Sequence, residues 1–219
     1  MIFGVSTAKV ALGIVQTLYM VSAALLIGLI FALPLAVLLV ITRQGGIKEC
    51  RPLYSALFAV INIIRSVPFI ILIVYIMPFT KFLIGTRIGS TAAIVPLVFY
   101  IAPYLSRLIE MSLLDVNEGI TETAQALGAT ALQTIIYFLL PEASPSIILA
   151  VTTGTVGLLG ATAMAGAVGG GGVGDLALTY GYQRFNTPLM TATVILLVFF
   201  VQGIQFLGTK IAMHFRHVK

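Results

Sequence analysis

Side chains able to do covalent, acid–base or metal chemistry are scarce in this chain: seven carboxylates, two histidines and one cysteine among 219 residues. Five of the seven carboxylates, Glu110, Asp115, Glu118, Glu122 and Glu142, fall in one stretch that begins near Arg107. Such a group can relay protons or present a charged surface to a partner. A relay needs carboxylates inside apolar spans, and no intramembrane cluster of them occurs. His214 and His217 supply two ligands without a third, so no metal is expected. There is no HExxH and no Ser-His-Asp set in a shared polar region, which argues against an intramembrane hydrolase. GAVGGGGVGD at 166–175 contains G-x-G-x-x-G at Gly169, Gly171 and Gly174, but it follows an apolar run and lacks the βαβ setting of a dinucleotide site. No GxxxxGK[ST] occurs, so ATP should not bind this chain through a P-loop. Neither a catalytic residue nor a cofactor held by this chain is expected.

The elements that carry these residues belong in lipid. The chain is 59% hydrophobic and 9% charged, with mean hydropathy +1.11, where soluble domains carry roughly 25% charged residues. Its net charge of +5 comes from cations at the ends of apolar runs, which fits membrane orientation better than nucleic-acid binding. Cys50 is the single cysteine and permits no internal disulfide. The residues up to Val10 lack the basic and short apolar regions of a cleavable signal. A spanning helix needs about 20 apolar residues. The runs predict five transmembrane helices in one transmembrane domain over 1–219, at approximately 10–42, 52–80, 88–112, 143–168 and 185–212, with a loop at approximately 113–141. The fold class is therefore an all-α integral membrane protein, with no internal repeat. With the N-terminus outside, Arg43, Lys48, Arg51, Arg107, Lys210, Arg216 and Lys219 are cytoplasmic, against Lys9, Lys81, Arg87 and Arg184 outside. That excess sets the N-terminus out and the C-terminus in, and places the acidic loop in the cytoplasm.

Local signals shape the loop. Asn117 caps a short helix whose positive end is met by Glu118 and Glu122. Ile120, Ala124 and Leu127 give it one small apolar face. Gly128 suits a left-handed helix end. Thr130 with Gln133 forms a capping box for a second helix, which places Leu132, Ile135, Ile136 and Leu139 on one face. Pro141 predicts a bend at Leu140. The first helix is too short to stand alone in water, so it rests on the ends of its own spans or docks on a cytoplasmic partner.

Within the spans, Arg65 costs at least ~2.5 kcal/mol at a central position and should face protein or a watery path. Ser66 and Pro68 beside it predict a kink. The three are pathway or gate candidates, against a structural arginine bonded to helix carbonyls. Met164, among small residues that let helices approach closely, is either packing or a plug in a narrow path. The glycines of 166–175 predict a tight external turn after the fourth span.

The loop resembles the EAA loop of ATP-binding-cassette importer permeases: Glu-Ala-Ala, three residues, Gly, nine residues, Ile, any residue, Leu-Pro. Glu122, Thr123, Ala124, Gly128, Phe138, Leu140 and Pro141 fall on it, with Thr123 for the middle Ala and Phe138 for Ile. INIIRSVPFIILIVYIMPFT at 61–80, IGTRIGSTAAIVPL at 84–97 and AMAGAVGGGGVGDLALTYGY at 163–182 extend the likeness over nearly the whole chain, toward the methionine importers of that family. The resemblance implies a translocation subunit that is not itself an enzyme. Its short helix would insert into a groove of a separate cytoplasmic ATPase, which binds the ATP. Docking would fall to Glu118, Glu122, Thr123, Ala124, Leu127, Gly128, Leu140 and Pro141. The further partners implied are a second copy of the chain, an extracytoplasmic substrate-binding protein and membrane lipid in the inner membrane. No nucleic acid is implied. The alternatives are a permease for another small substrate, such as a polar amino acid, or a partner-free channel or structural membrane protein.

Overall fold

A computed structural model describes residues 4–217; Lys219, counted above for orientation, and the side chain of His217 lie outside the described residues. The helices are α1 Thr7–Thr42, α2 Arg51–Ser66, α3 Phe69–Ile84, α4 Ser90–Leu114 and α5 Glu118–Ala126. They continue as α6 Ala131–Gly170, α7 over 172–182 and α8 Thr187–His217. By length and composition α1, α4, α6 and α8 can each cross a membrane, and α2 with α3 passes the same test as a bent pair, making up to five spans. At 1.5 Å per residue the 36 residues of α1 run to about 54 Å, well beyond the ~30 Å apolar core of a bilayer. The uncharged run from Val10 to Thr42 thus builds a helix that must tilt or project.

Contacts divide the chain into two compact units. The first comprises 1–28, 67–101 and 155–205. Its core includes Met20, Leu97, Ile101, Leu158, Val173, Leu176 and Leu189, all nearly or fully buried. Small residues bring backbones together here. A Cβ on Gly174 would lie 2.4 Å from the Cα and carbonyl oxygen of Ala163, and one on Gly166 2.4 Å from the amide of Asp175. The glycines of 166–175 therefore do more than turn. The chain reverses at Val168–Gly172, where Gly169, Gly171 and Gly172 take φ of 88°, 74° and 85°, and then enters α7, whose first residues are buried. The side chains of Gln16 and Thr17 on α1 receive the amides of Gly172 and Val173 at 2.9 and 2.8 Å. These two bonds satisfy donors that the start of a buried helix would otherwise leave open. The simple external turn expected from the glycines is in fact a turn plus a docked helix, because the same residues serve both the reversal and the close approach.

The second unit comprises 29–66, 102–154 and 206–219. Leu39, Leu105, Ile109 and Ala124 are buried in it. Glu110 belongs to α4 and is 1% exposed, so it is not one of the loop carboxylates. Arg107 donates to it and also lies 4.6 Å over the Phe58 ring. A buried carboxylate demands such a partner, and the i,i+3 spacing supplies it. Between α1 and α2, Glu49 accepts from the Gly45 amide at 2.9 Å and from Arg51 Nε at 2.8 Å. The Gly45 amide first, then Arg51, hold its carboxyl below the usual carboxylate range.

Candidate functional site

The loop between α4 and α6 is built from caps. Asn117 Oδ1 accepts the Gly119 amide at 2.8 Å and starts α5. The helix ends in a Schellman motif: the Ala129 amide reaches the Ala124 carbonyl at 3.0 Å, and the Gly128 amide reaches that of Gln125 at 2.9 Å. Gly128 sits at φ 75°, which a Cβ would oppose. One residue on, the capping box forms: Thr130 N–H donates to Gln133 Oε1 at 2.8 Å, and Gln133 N–H to Thr130 Oγ1 at 3.4 Å. Asparagine cap, glycine stop and capping box together fix the short helix at a set angle to α6.

Packing decides which face is free. Ala124 is fully buried, and α5 packs on residues Thr134–Leu139, of which Thr134, Ile135 and Leu139 are buried. Leu132 and Ile136 are exposed, so the expected four-residue face splits into two. The cause is a π turn at Thr134–Leu139, where the Leu140 amide bonds Ile135, five residues back. Leu140, where Pro141 predicts a bend, keeps helical angles of φ −64° and ψ −44°. The π turn carries the chain past the missing proline N–H, and α6 continues through Pro141 as α-helix to Ala165. Leu127 also leaves the predicted apolar face and is 73% exposed. Glu122 and Thr123 are exposed beside it. Glu118 is exposed too, at the rim of a cavity of about 170 Å³ shared with Arg43, Thr121, Gln125 and Leu139. The free surface of α5 is thus acidic with one apolar tip. Leu140 and Pro141 lie at the other end of the π turn, in α6.

At the other candidate position the chain breaks instead of kinking. Ser66 ends α2, its hydroxyl donating to the Asn62 carbonyl at 2.8 Å, and Pro68 caps α3. The two helices bend by 106° across this break. Proline restricts its predecessor and brings no N–H, so Val67 leaves the helical region and α3 begins afresh. Arg65 is exposed, its guanidinium 5.8 Å from the Tyr104 ring. Met164, near the end of α6, is 49% exposed. The metal expectation concerned His214 and His217; among the described residues no group of three or more possible ligands occurs.

α7 ends in a second Schellman motif, with the Asn186 amide on the Gly181 carbonyl at 2.8 Å and the Phe185 amide on that of Tyr182 at 3.1 Å. Phe185 occupies the left-handed position with φ 54°, the only described non-glycine residue at positive φ, and is 91% exposed. A side chain there costs about 1–2 kcal/mol that glycine would avoid. Asn186 then caps α8 through the Leu189 amide at 3.2 Å.

Residues 44–212 match the sequence profile of the family described as binding-protein-dependent transport system inner membrane component. The chain is 49% identical over 202 residues to a probable D-methionine transport system permease protein MetI of Vibrio cholerae, covering 92% of this chain and 90% of that protein. It is 41% identical over 177 residues to the methionine import system permease protein MetP of Bacillus subtilis, covering 80% of each. Among solved structures, a chain of the MetNI methionine ABC transporter in inward-facing conformations superposes with TM-score 0.94 at 41% identity, covering 95% of this chain and 97% of that one.

Proposed function

We propose a function from one premise: the chain belongs to the family of binding-protein-dependent transport system inner membrane components. It is the transmembrane translocation subunit of an ATP-driven importer, and its substrate is methionine. ATP hydrolysis belongs to a separate cytoplasmic ATPase. The observation that carries the coupling role is the capped helix Glu118–Ala126, rigid on its α6 side and offering Glu122, Thr123 and Leu127 on its free side. A short acidic helix with one exposed leucine is a shape that a groove can grip. Glu118, Ala124, Gly128, Leu140 and Pro141 hold that shape. The relatives named as methionine permeases support the substrate.

The remaining parts follow from this reading. The whole of 1–219 serves as one permease domain in the inner membrane, N-terminus outside and C-terminus in the cytoplasm, supported by the seven-to-four distribution of Lys and Arg. One chain offers one docking helix, so two copies pair about a two-fold axis to meet a paired ATPase. An extracytoplasmic binding protein delivers substrate to the outer end. Nucleotide binding closes the ATPase pair, α5 moves with it, and the spans exchange inward for outward access. Arg65, Ser66, Pro68 and Met164 line or gate the path. The test is uptake of radiolabelled methionine by proteoliposomes holding the full complex, ATP and binding protein. Saturable, ATP-dependent uptake is expected. Uptake of a polar amino acid with none of methionine would overturn the substrate, and flux without any ATPase would overturn the coupling.

A further inference from the structure

Phe185 stands at a position where folding alone favours glycine. The first unit pays a backbone cost to hold a phenylalanine, 91% exposed, at the left-handed corner between α7 and α8. The hydrogen bonds of the corner would form as well with glycine, because both come from backbone amides. Its neighbours share the character. Tyr182 is 68% exposed. The Arg184 guanidinium is stacked 4.5 Å from the Tyr180 ring, and Lys9 Nζ lies 4.0 Å from the same ring while donating to the Tyr180 hydroxyl. Two cations fixed on one ring beside two exposed aromatics make a preorganised patch of the residue types that dominate binding energy at protein interfaces.

Charge says what it fits. The first unit carries Lys9, Lys81, Arg87 and Arg184 against a single carboxylate, Asp175, which already accepts the Thr179 hydroxyl at 2.6 Å. A lipid anchor asks only for an aromatic ring at the interface and no fixed backbone direction. A corner that spends stability to hold one direction suits a surface with a shaped pocket. We propose that Tyr182, Arg184 and Phe185 form the docking finger for the extracytoplasmic binding protein, Phe185 entering an apolar slot and Arg184 meeting an acidic rim. This deepens the importer reading and rests on its assignment of α7–α8 to the outer side.

The experiment measures binding of the purified, methionine-loaded extracytoplasmic binding protein to the complete transporter in nanodiscs, with the Tm of each transporter variant alongside. Phe185→Gly should weaken binding about thirty-fold, the level of an interface hot spot, while its Tm stays level or rises. Arg184→Glu should weaken binding at low salt and flatten its salt dependence. Phe185→Gly that binds as tightly as wild type overturns the proposal. So does a fall in both binding and Tm, which assigns Phe185 to packing. Quenching of Phe185→Trp fluorescence by brominated lipid, unchanged by the binding protein, overturns it in favour of a membrane anchor. If wild type binds no such protein, the importer reading falls as well. Intact wild-type binding with an indifferent Phe185→Gly removes the finger alone.

Discussion

Replacing Gly128 isolates what the α5 stop contributes. The residue holds φ 75°, and a Cβ built on it meets nothing within 4 Å. Steric crowding is therefore absent, and any cost is that of the left-handed backbone, about 1–2 kcal/mol for an L-residue and more for a β-branched one. The variant puts at risk the two bonds of the motif, Ala129 to Ala124 and Gly128 to Gln125. A helix of nine residues has no stability of its own to absorb the loss. A shift of 1–2 kcal/mol multiplies the open population about 5- to 30-fold. Hydrogen exchange of the complex in nanodiscs should show that loss of protection at Ala129, ordered Gly, Asn, Ala, Val at position 128, since asparagine tolerates the left-handed region best after glycine. Methionine transported per ATP should fall in the same order. Undiminished protection and coupling in Gly128→Val would refute the idea that this stop holds the docking helix in shape.

Other outcomes follow from particular contacts. Leu127→Asp places a charge on a side chain that is already 73% exposed, so Tm should be unchanged while ATPase co-purification drops by at least tenfold. Arg107→Ala leaves the buried carboxylate of Glu110 without its partner and should lower stability by about 3–5 kcal/mol, read as a clear fall in Tm in detergent. Gly174→Ala drives a methyl to 2.4 Å from the Ala163 backbone, and overpacking of about 1–3 kcal/mol or more should appear as loss of expression or Tm.

What could be read in advance was local. Asn117, Gly128 and the Thr130–Gln133 box act within four residues of themselves, so their types and spacing carry the geometry. The membrane class followed from bulk composition. The failures arose where one residue type answers to two physical demands. Pro141 could bend a helix or follow a π turn, and the choice depended on the Leu140 amide reaching Ile135. The 166–175 glycines could turn or pack, and the structure uses them for both. Glu110 looked like part of a solvated acidic run because its burial beside Arg107 is a tertiary fact. The break at Ser66–Pro68 was signalled by the proline, but not its 106° size. Phe185 carried no signal at all: only a backbone dihedral distinguishes it from the many phenylalanines of the spans.

The central claim is that α5 projects into the cytoplasm and is gripped by the ATPase. Cys50 is the single cysteine and is exposed, so a Cys50→Ser background permits one new thiol at Leu127. In intact cells that thiol should resist an impermeant maleimide, and in inverted vesicles it should cross-link to the ATPase subunit through a short bifunctional reagent. Labelling from outside the intact cell, or no cross-link with the assembled ATPase present, would contradict the account.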